Sequence, residues 1–352
     1  MSEGSTLESP EAPPPDRWTW PKRIARIALF AFGMAAIVYV VNDAGPEHVW
    51  ATLVGAGVFV PLIVALEAGF MSMDVLSLRA LIGAPARDVP LRVWVRSGLM
   101  AYSIMILFPG GRAAGEVVRA AQLAPYTGGA KAAAYGTRLQ AATMLGNTFI
   151  SVPCAVACFW AGSADDALPW LVLGNGVVTL VIGGGILLLS RRSKIGGWLG
   201  TKFTALQKHG SSFDEALRTD TSFGPPLFYS ALGRVLQTVQ YGIMLLAVGG
   251  SLRIVSALIS QGIHLVGAGA GDLVPNQAGI TEGAYWMFAE ALGLAEDPAA
   301  AVGIALIARF CQYVLAGAGL IVGAVWRAPK PSSPITTADQ GASRSASASE
   351  LR

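Results

Sequence analysis

The chain has 352 residues, of which 53% are hydrophobic and 13% are Asp, Glu, Lys or Arg, about half the charged share of an ordinary soluble domain. A soluble core of this size needs a polar shell that 25 + 22 = 47 charged residues do not supply, so the composition describes a membrane protein. The excess of Lys and Arg over Asp and Glu, 25 − 22 = +3, is too small to point to nucleic acid as a partner.

Residues 1–20 and 328–352 are rich in Pro, Ser, Glu and Ala without an apolar period and read as disordered tails. Between them, residues 21–327 form one integral membrane domain. The run from Ile24 to Val41 follows Lys22, Arg23 and Arg26 and reads as a retained first span. Further apolar stretches at 50–78, 131–160, 169–190, 226–248 and 299–326 are long enough to cross a bilayer, which takes about 20 residues. The stretch at 97–108 has 12 residues before a PGG break. A helix of that length reaches about 18 Å into a core about 30 Å thick.

Loop charge sets the topology. Arg79, Arg87, Arg92 and Arg96 cluster before the short stretch, Arg191, Arg192, Lys194, Lys202 and Lys208 follow the 169–190 span, and Arg327 and Lys330 follow the last one. The positive-inside rule places these clusters, and both termini, in the cytoplasm of a bacterial-type plasma (inner) membrane. The connections at 42–47, 161–168 and 294–298 contain acidic residues and no Lys or Arg, and go outside. With residues 96 and 130 on one side, 97–124 must return to the face it came from. The same count makes 254–293 a second re-entrant hairpin, entering from the opposite face. Trp198, Lys202 and Lys208 suggest a helix lying on the cytoplasmic surface.

The two breaks correspond. The first reads PGGRAAGE from Pro109 to Glu116, including Gly110 and Gly111, and the second PNQAGITE from Pro275 to Glu282, including Gly279. Each places a glutamate seven residues after the proline and precedes an AAA start and a span with one arginine, Arg138 or Arg309. Paired Pro/Gly interruptions with opposite topology are the sequence mark of a transporter with a midplane site. The expected fold is therefore an all-α polytopic membrane protein with about six full spans and two re-entrant helical hairpins. They form an inverted repeat, with halves at about 48–160 and 222–326.

On these residues the chain resembles the flippase-like family that includes the transmembrane region of lysylphosphatidylglycerol synthase. Pro109, Gly110, Gly111, Arg112, Gly115, Glu116 and Arg119 match its PGG-R-x-G-E-x-x-R segment. Pro275, Gly279, Ile280, Glu282 and Arg309 match its later proline-to-glutamate segment and the arginine-bearing helix after it. The second segment is poorer in glycine than is usual there. The resemblance covers roughly residues 20–326 and does not extend to the soluble aminoacyl-transferring domain, so aminoacylation is not implied. The resemblance implies translocation of a lipid or lipid-linked molecule between leaflets. The sequence has no paired His, no Asp-rich metal motif and no Ser–His spacing in its apolar spans, so an enzyme is not expected.

Arg112, Glu116 and Arg119 fall at i, i+4 and i+7, on one face of the returning helix. Left in lipid, three such charges would cost roughly 8–10 kcal/mol. They therefore face a cavity, or form a structural ion-pair cluster that holds the hairpin. Arg138 and Arg234 lie about 10 and 12 Å into their helices, within reach of snorkelling. Arg309 lies about 15 Å deep, and is expected to pair with Glu282 or with a substrate phosphate. A cavity with Arg112, Arg119, Arg138, Arg234 and Arg309 against Glu116 and Glu282 carries +5 − 2 = +3 and would favour an anionic headgroup or lipid-linked phosphate, which the guanidinium fork suits.

Glu67 and Asp74, seven apart, and Gln237 are further candidates to line that cavity, with Gln240 beside it; Asp74 and Arg79 also read as a simple cytoplasmic helix end. His264 reads more readily as a packing residue. Cys154, Cys158 and Cys311 fall in apolar runs and give neither a disulfide framework nor a zinc site. His48, His209 and His264 show no paired spacing, so no metal and no cofactor is expected. Two alternatives stand beside the translocator: an intramembrane enzyme acting on lipid phosphates, and a permease for small organic anions. Expected partners are membrane lipids, with a homo-oligomer or a separate lipid-modifying enzyme as further options.

Overall fold

A computed structural model describes residue 42 and residues 46–108, 111–162, 166–192, 210–218, 222–271 and 277–326. Outside them lie the expected tails, the span from Ile24 to Val41, the surface helix around Trp198, Lys202 and Lys208, and Pro109, Gly110 and Pro275 of the two breaks.

Among the described residues the regular structure is all helical. We number the α-helices α1 (Pro46–Gly55), α2 (Val60–Ile82), α3 (Leu91–Leu107), α4 (Gly111–Thr127), α5 (Gly129–Ala161), α6 (Ala167–Arg192), α7 (Gly210–Arg218), α8 (Gly224–Ala247), α9 (Ile254–Gly271), α10 (Ile280–Met287) and α11 (Pro298–Val325). Five are long and apolar enough to cross a membrane: α2 with the turn before it, α5, α6, α9 and α11. Four of these are expected spans. The expected span at 226–248 forms α8, 24 residues long, but Arg234, Gln237, Thr238 and Gln240 lower its hydropathy. The first arm of the second hairpin, α9, has a spanning length of 18 residues.

Large apolar side chains point outward, as on α6, where Val177, Val178, Val181 and Ile182 are exposed. Arg119, Arg138, Arg234, Glu67 and Glu282 are buried. This inversion of the soluble pattern is what a lipid solvent requires.

The first hairpin is α3 and α4. Helix α3 starts at Leu91, directly after Pro90, and its 17 residues exceed the predicted 12. The extra turns carry Arg96, whose guanidinium donates to Gln122 Oε1 at 2.9 Å and to the Gly323 carbonyl at 3.2 Å. Phe108 ends the helix in an extended conformation, φ −115° and ψ 144°, to which a following proline restricts it. The arms pack antiparallel: Gly111 lies against the Ile104 and Met105 carbonyls, and a Cβ on Gly115 would come 2.6 Å from the Ala101 carbonyl oxygen. Only glycine permits this approach.

The second hairpin is α9 and α10, also antiparallel. Gly267 packs on Thr281, and Tyr285 donates to the Ser260 carbonyl at 2.8 Å. Between the arms, Gln277 and Gly279 hold φ of 56° and 78°.

The halves exchange contacts reciprocally. Helix α3 lies on α11 while α9 lies on α5; α4 lies on α5 while α10 lies on α11; α5 touches α8 while α11 touches α2. At the centre, α2 and α8 pack antiparallel, with Ser77 donating to the Pro226 carbonyl at 3.0 Å and Gln240 to the Ile63 carbonyl at 3.3 Å near the opposite end. Each of these helix contacts in one half thus has a counterpart in the other.

Candidate functional site

A cavity of about 770 Å³ lies between the first hairpin, α2, α5, α8 and α9. Of the residues singled out from the sequence, Arg112, Glu116, Arg119, Arg234, Glu67, Asp74, Gln237 and Gly111 line it. Arg138, Glu282 and Arg309 are buried elsewhere.

Helix α4 presents its charges on one face, as the i, i+4, i+7 spacing requires. Arg119 Nη1 lies 3.3 Å from Glu116 Oε1, without the geometry of a hydrogen bond. Arg119 Nε and Nη1 and Glu116 Oε2 are buried with no hydrogen-bond partner among the described residues. Unsatisfied buried groups of this kind are uncommon, and three of them on one side of a cavity mark a place where donors and an acceptor are held ready.

Helix α2 contributes the two carboxylates seven residues apart. Tyr102 donates to Glu67 Oε1 at 2.5 Å and Gln240 Nε2 to Glu67 Oε2 at 2.8 Å, so both oxygens are satisfied. Asp74 stands in the field of Arg119, Arg234 and Arg112, beyond the role of a helix-end marker. From α8, Arg234 donates to Gln237 Oε1 at 2.7 Å, its guanidinium lies 4.9 Å from the Phe70 ring centre, and Gln261 also donates to Gln237, at 3.2 Å. Arg234 is therefore turned inward and does not snorkel.

The second hairpin treats its charges differently. Arg309 donates from Nε to Glu282 Oε1 at 2.8 Å, with Nη2 at 2.5 Å from the same oxygen, and Glu282 Oε2 accepts the Gly279 backbone N–H at 2.8 Å. Of the two partners expected for Arg309, the structure contains the glutamate. This closed set fastens α10 to α11 and spans no open space.

The charge count changes accordingly. The cavity wall holds Arg112, Arg119 and Arg234 against Glu67, Asp74 and Glu116, a formal +3 − 3 = 0, in place of the +3 expected from sequence. The difference arises because Arg309 is consumed by Glu282, Arg138 does not reach the cavity, and two carboxylates from α2 do. Sequence reasoning also passed over Tyr102, which sits in an apolar run 35 residues from Glu67, and over Tyr241, which bonds His264 at 2.6 Å. No local spacing signals such partners.

Apolar helices with exposed apolar faces around buried charged groups define an integral membrane protein. The family model described as the lysylphosphatidylglycerol synthase TM region matches residues 23–319, and the chain belongs to that family. No curated protein and no solved structure gives a match.

Proposed function

We propose that this protein is a flippase-like translocator, not an enzyme, that carries a lipid or lipid-linked molecule with a phosphate-bearing headgroup between leaflets through the cavity beside the first hairpin. The observation that carries the reading is Arg119, buried at the cavity wall with unsatisfied donors, next to Arg112 and opposite Arg234. Guanidinium groups in a dry setting stay charged and offer paired donors to phosphate oxygens. Glu116, Asp74 and Glu67 keep the empty cavity neutral in sum, so the arginines need no counter-ion before substrate arrives.

In this reading the two hairpins re-enter the membrane from opposite faces and both termini lie in the cytoplasm. The reciprocal packing of the two halves supports it, because a pseudo-symmetric pair can exchange conformations to open the cavity to either leaflet.

The test is transfer of a labelled anionic phospholipid between leaflets of proteoliposomes. Transfer by the unaltered protein, lost in Arg112→Ala and Glu116→Gln, is the expected result. Transfer that survives both substitutions would show that the cavity is not the pathway. Uptake of a soluble organic anion with no lipid movement would replace the reading with a permease.

A further inference from the structure

His264 belongs to neither the arginines nor the carboxylates of the cavity. It sits in α9, lines the cavity, and holds its Nδ1 2.6 Å from the Tyr241 hydroxyl. Tyr241 is buried behind it. A tyrosine hydroxyl brings one proton, and a neutral imidazole brings one N–H and one acceptor nitrogen.

Among the described residues, Nδ1 is the only acceptor that the Tyr241 hydroxyl reaches. Were the imidazole proton on Nδ1, it would point at the hydroxyl oxygen and leave the hydroxyl proton buried without an acceptor. A doubly protonated ring fails in the same way. Both groups are satisfied only when Tyr241 donates, Nδ1 accepts and the imidazole proton sits on Nε2.

The ring is also held in place. His264 stacks on Tyr241 with ring centres 4.5 Å apart and planes 27° apart, and Tyr241 stacks in turn on Tyr285, whose hydroxyl is tied to the Ser260 carbonyl at 2.8 Å. His264 lines the cavity, and its Nε2 has no hydrogen-bond partner among the described residues. The result is a neutral N–H donor, fixed in direction, on the one hairpin that supplies no arginine to the cavity.

We propose that His264 is a headgroup-binding residue: Tyr241 holds it as the Nε2–H tautomer, and Nε2–H donates to a phosphate oxygen of the lipid in the cavity. This rests on the translocator reading. It gives the second hairpin a contact with the substrate while its own charged pair, Arg309 and Glu282, stays closed.

Two measurements test it. Protein labelled with ¹⁵N-histidine in maltoside micelles should show, in the resonances lost from His264→Ala, a protonated Nε2 and an unprotonated Nδ1. The Nε2 signal should move when phosphatidylglycerol is added. The reverse tautomer, or an Nε2 signal that phosphatidylglycerol does not move, would overturn the proposal. A response to inorganic phosphate with none to the lipid would overturn its lipid part.

In proteoliposomes, His264→Ala should slow phosphatidylglycerol transfer roughly tenfold, the loss of one hydrogen bond to a charged group. His264→Gln, which retains a donor, should restore most of the rate, whereas a purely packing role predicts no such rescue. Transfer by His264→Ala at the unaltered rate would also overturn the proposal. If the unaltered protein moves no lipid, the translocator reading falls, while the nitrogen resonances still report whether this ring binds a phosphate headgroup.

Discussion

Glu116 and Glu282 hold the same place in the two hairpins, seven residues after a proline, yet their surroundings differ. Glu282 is fully buried with both oxygens bonded, to Arg309 and to the Gly279 N–H. Glu116 is half-buried at the cavity, beside Arg119 at 3.3 Å, with Oε2 unpartnered. One glutamate fastens its hairpin to α11 and the other faces the cavity.

This difference separates stability from activity. Glu282→Gln takes from the buried Arg309 guanidinium its carboxylate partner, and breaking a buried pair costs about 3–5 kcal/mol. Glu116→Gln disturbs a half-buried carboxylate with no strong partner and should cost under about 1 kcal/mol. Thermal unfolding in detergent should show a large drop for the first substitution and a small one for the second. Lipid transfer should fail in Glu116→Gln at temperatures where the protein remains folded. Equal destabilisation by both would mean that the two hairpins are equivalent.

Glu67 offers a second test within the cavity wall. Its carboxylate accepts from Tyr102 on α3 and Gln240 on α8, so it joins the first hairpin to the central helix pair. Tyr102→Phe removes one donor to a charged group and should lower stability by about 1.5–3 kcal/mol. Combining it with Glu67→Gln should give less than the sum of the two effects, by about 0.5–3 kcal/mol, because the two side chains share one interaction. Strict additivity in denaturation midpoints would show that the contact contributes nothing.

Helix–helix approach in the first hairpin depends on Gly115, whose added Cβ would meet a backbone carbonyl that cannot rotate away. Gly115→Ala should therefore destabilise the protein by about 1–3 kcal/mol despite alanine's better helix propensity. Gly185→Ala in α6 meets nothing within 4 Å and serves as the control, expected to be neutral or stabilising by up to about 1 kcal/mol. Both are read by the temperature midpoint in the same detergent.

How far the sequence alone reaches follows from the range of each signal. Helix positions, the two breaks and the likeness of Glu116 to Glu282 depend on residues close in the chain, and periodicity, Pro/Gly placement and loop charge carry them. The one-faced stripe of Arg112, Glu116 and Arg119 was readable for the same reason. Which deep charges share a cavity depends on how separate helices meet. By residue counting Arg138, Arg234 and Arg309 lie about 10, 12 and 15 Å into their helices, but α2 brings Glu67 and Asp74 to Arg234 while α10 brings Glu282 to Arg309. No spacing rule sees a bond such as Tyr102 to Glu67 or Tyr241 to His264.

Arg234 connects these levels, since its depth was evident from sequence and its partners were not. Its guanidinium both donates to Gln237 at 2.7 Å and lies over Phe70 at 4.9 Å. A lysine keeps the charge but is a point donor without a planar face, so it cannot keep both contacts and still offer a paired fork to a phosphate. Arg234→Lys should leave the fold intact, with an unfolding midpoint near that of the unaltered protein, and reduce lipid transfer by about tenfold, the equivalent of about 1.4 kcal/mol. Phe70→Leu removes the ring while leaving Gln237 in place and should have a smaller effect in the same direction, about 0.5–1 kcal/mol of arginine positioning. Transfer by Arg234→Lys at the unaltered rate would show that charge alone suffices at this position, and that the paired donors of the arginine are not what holds the headgroup.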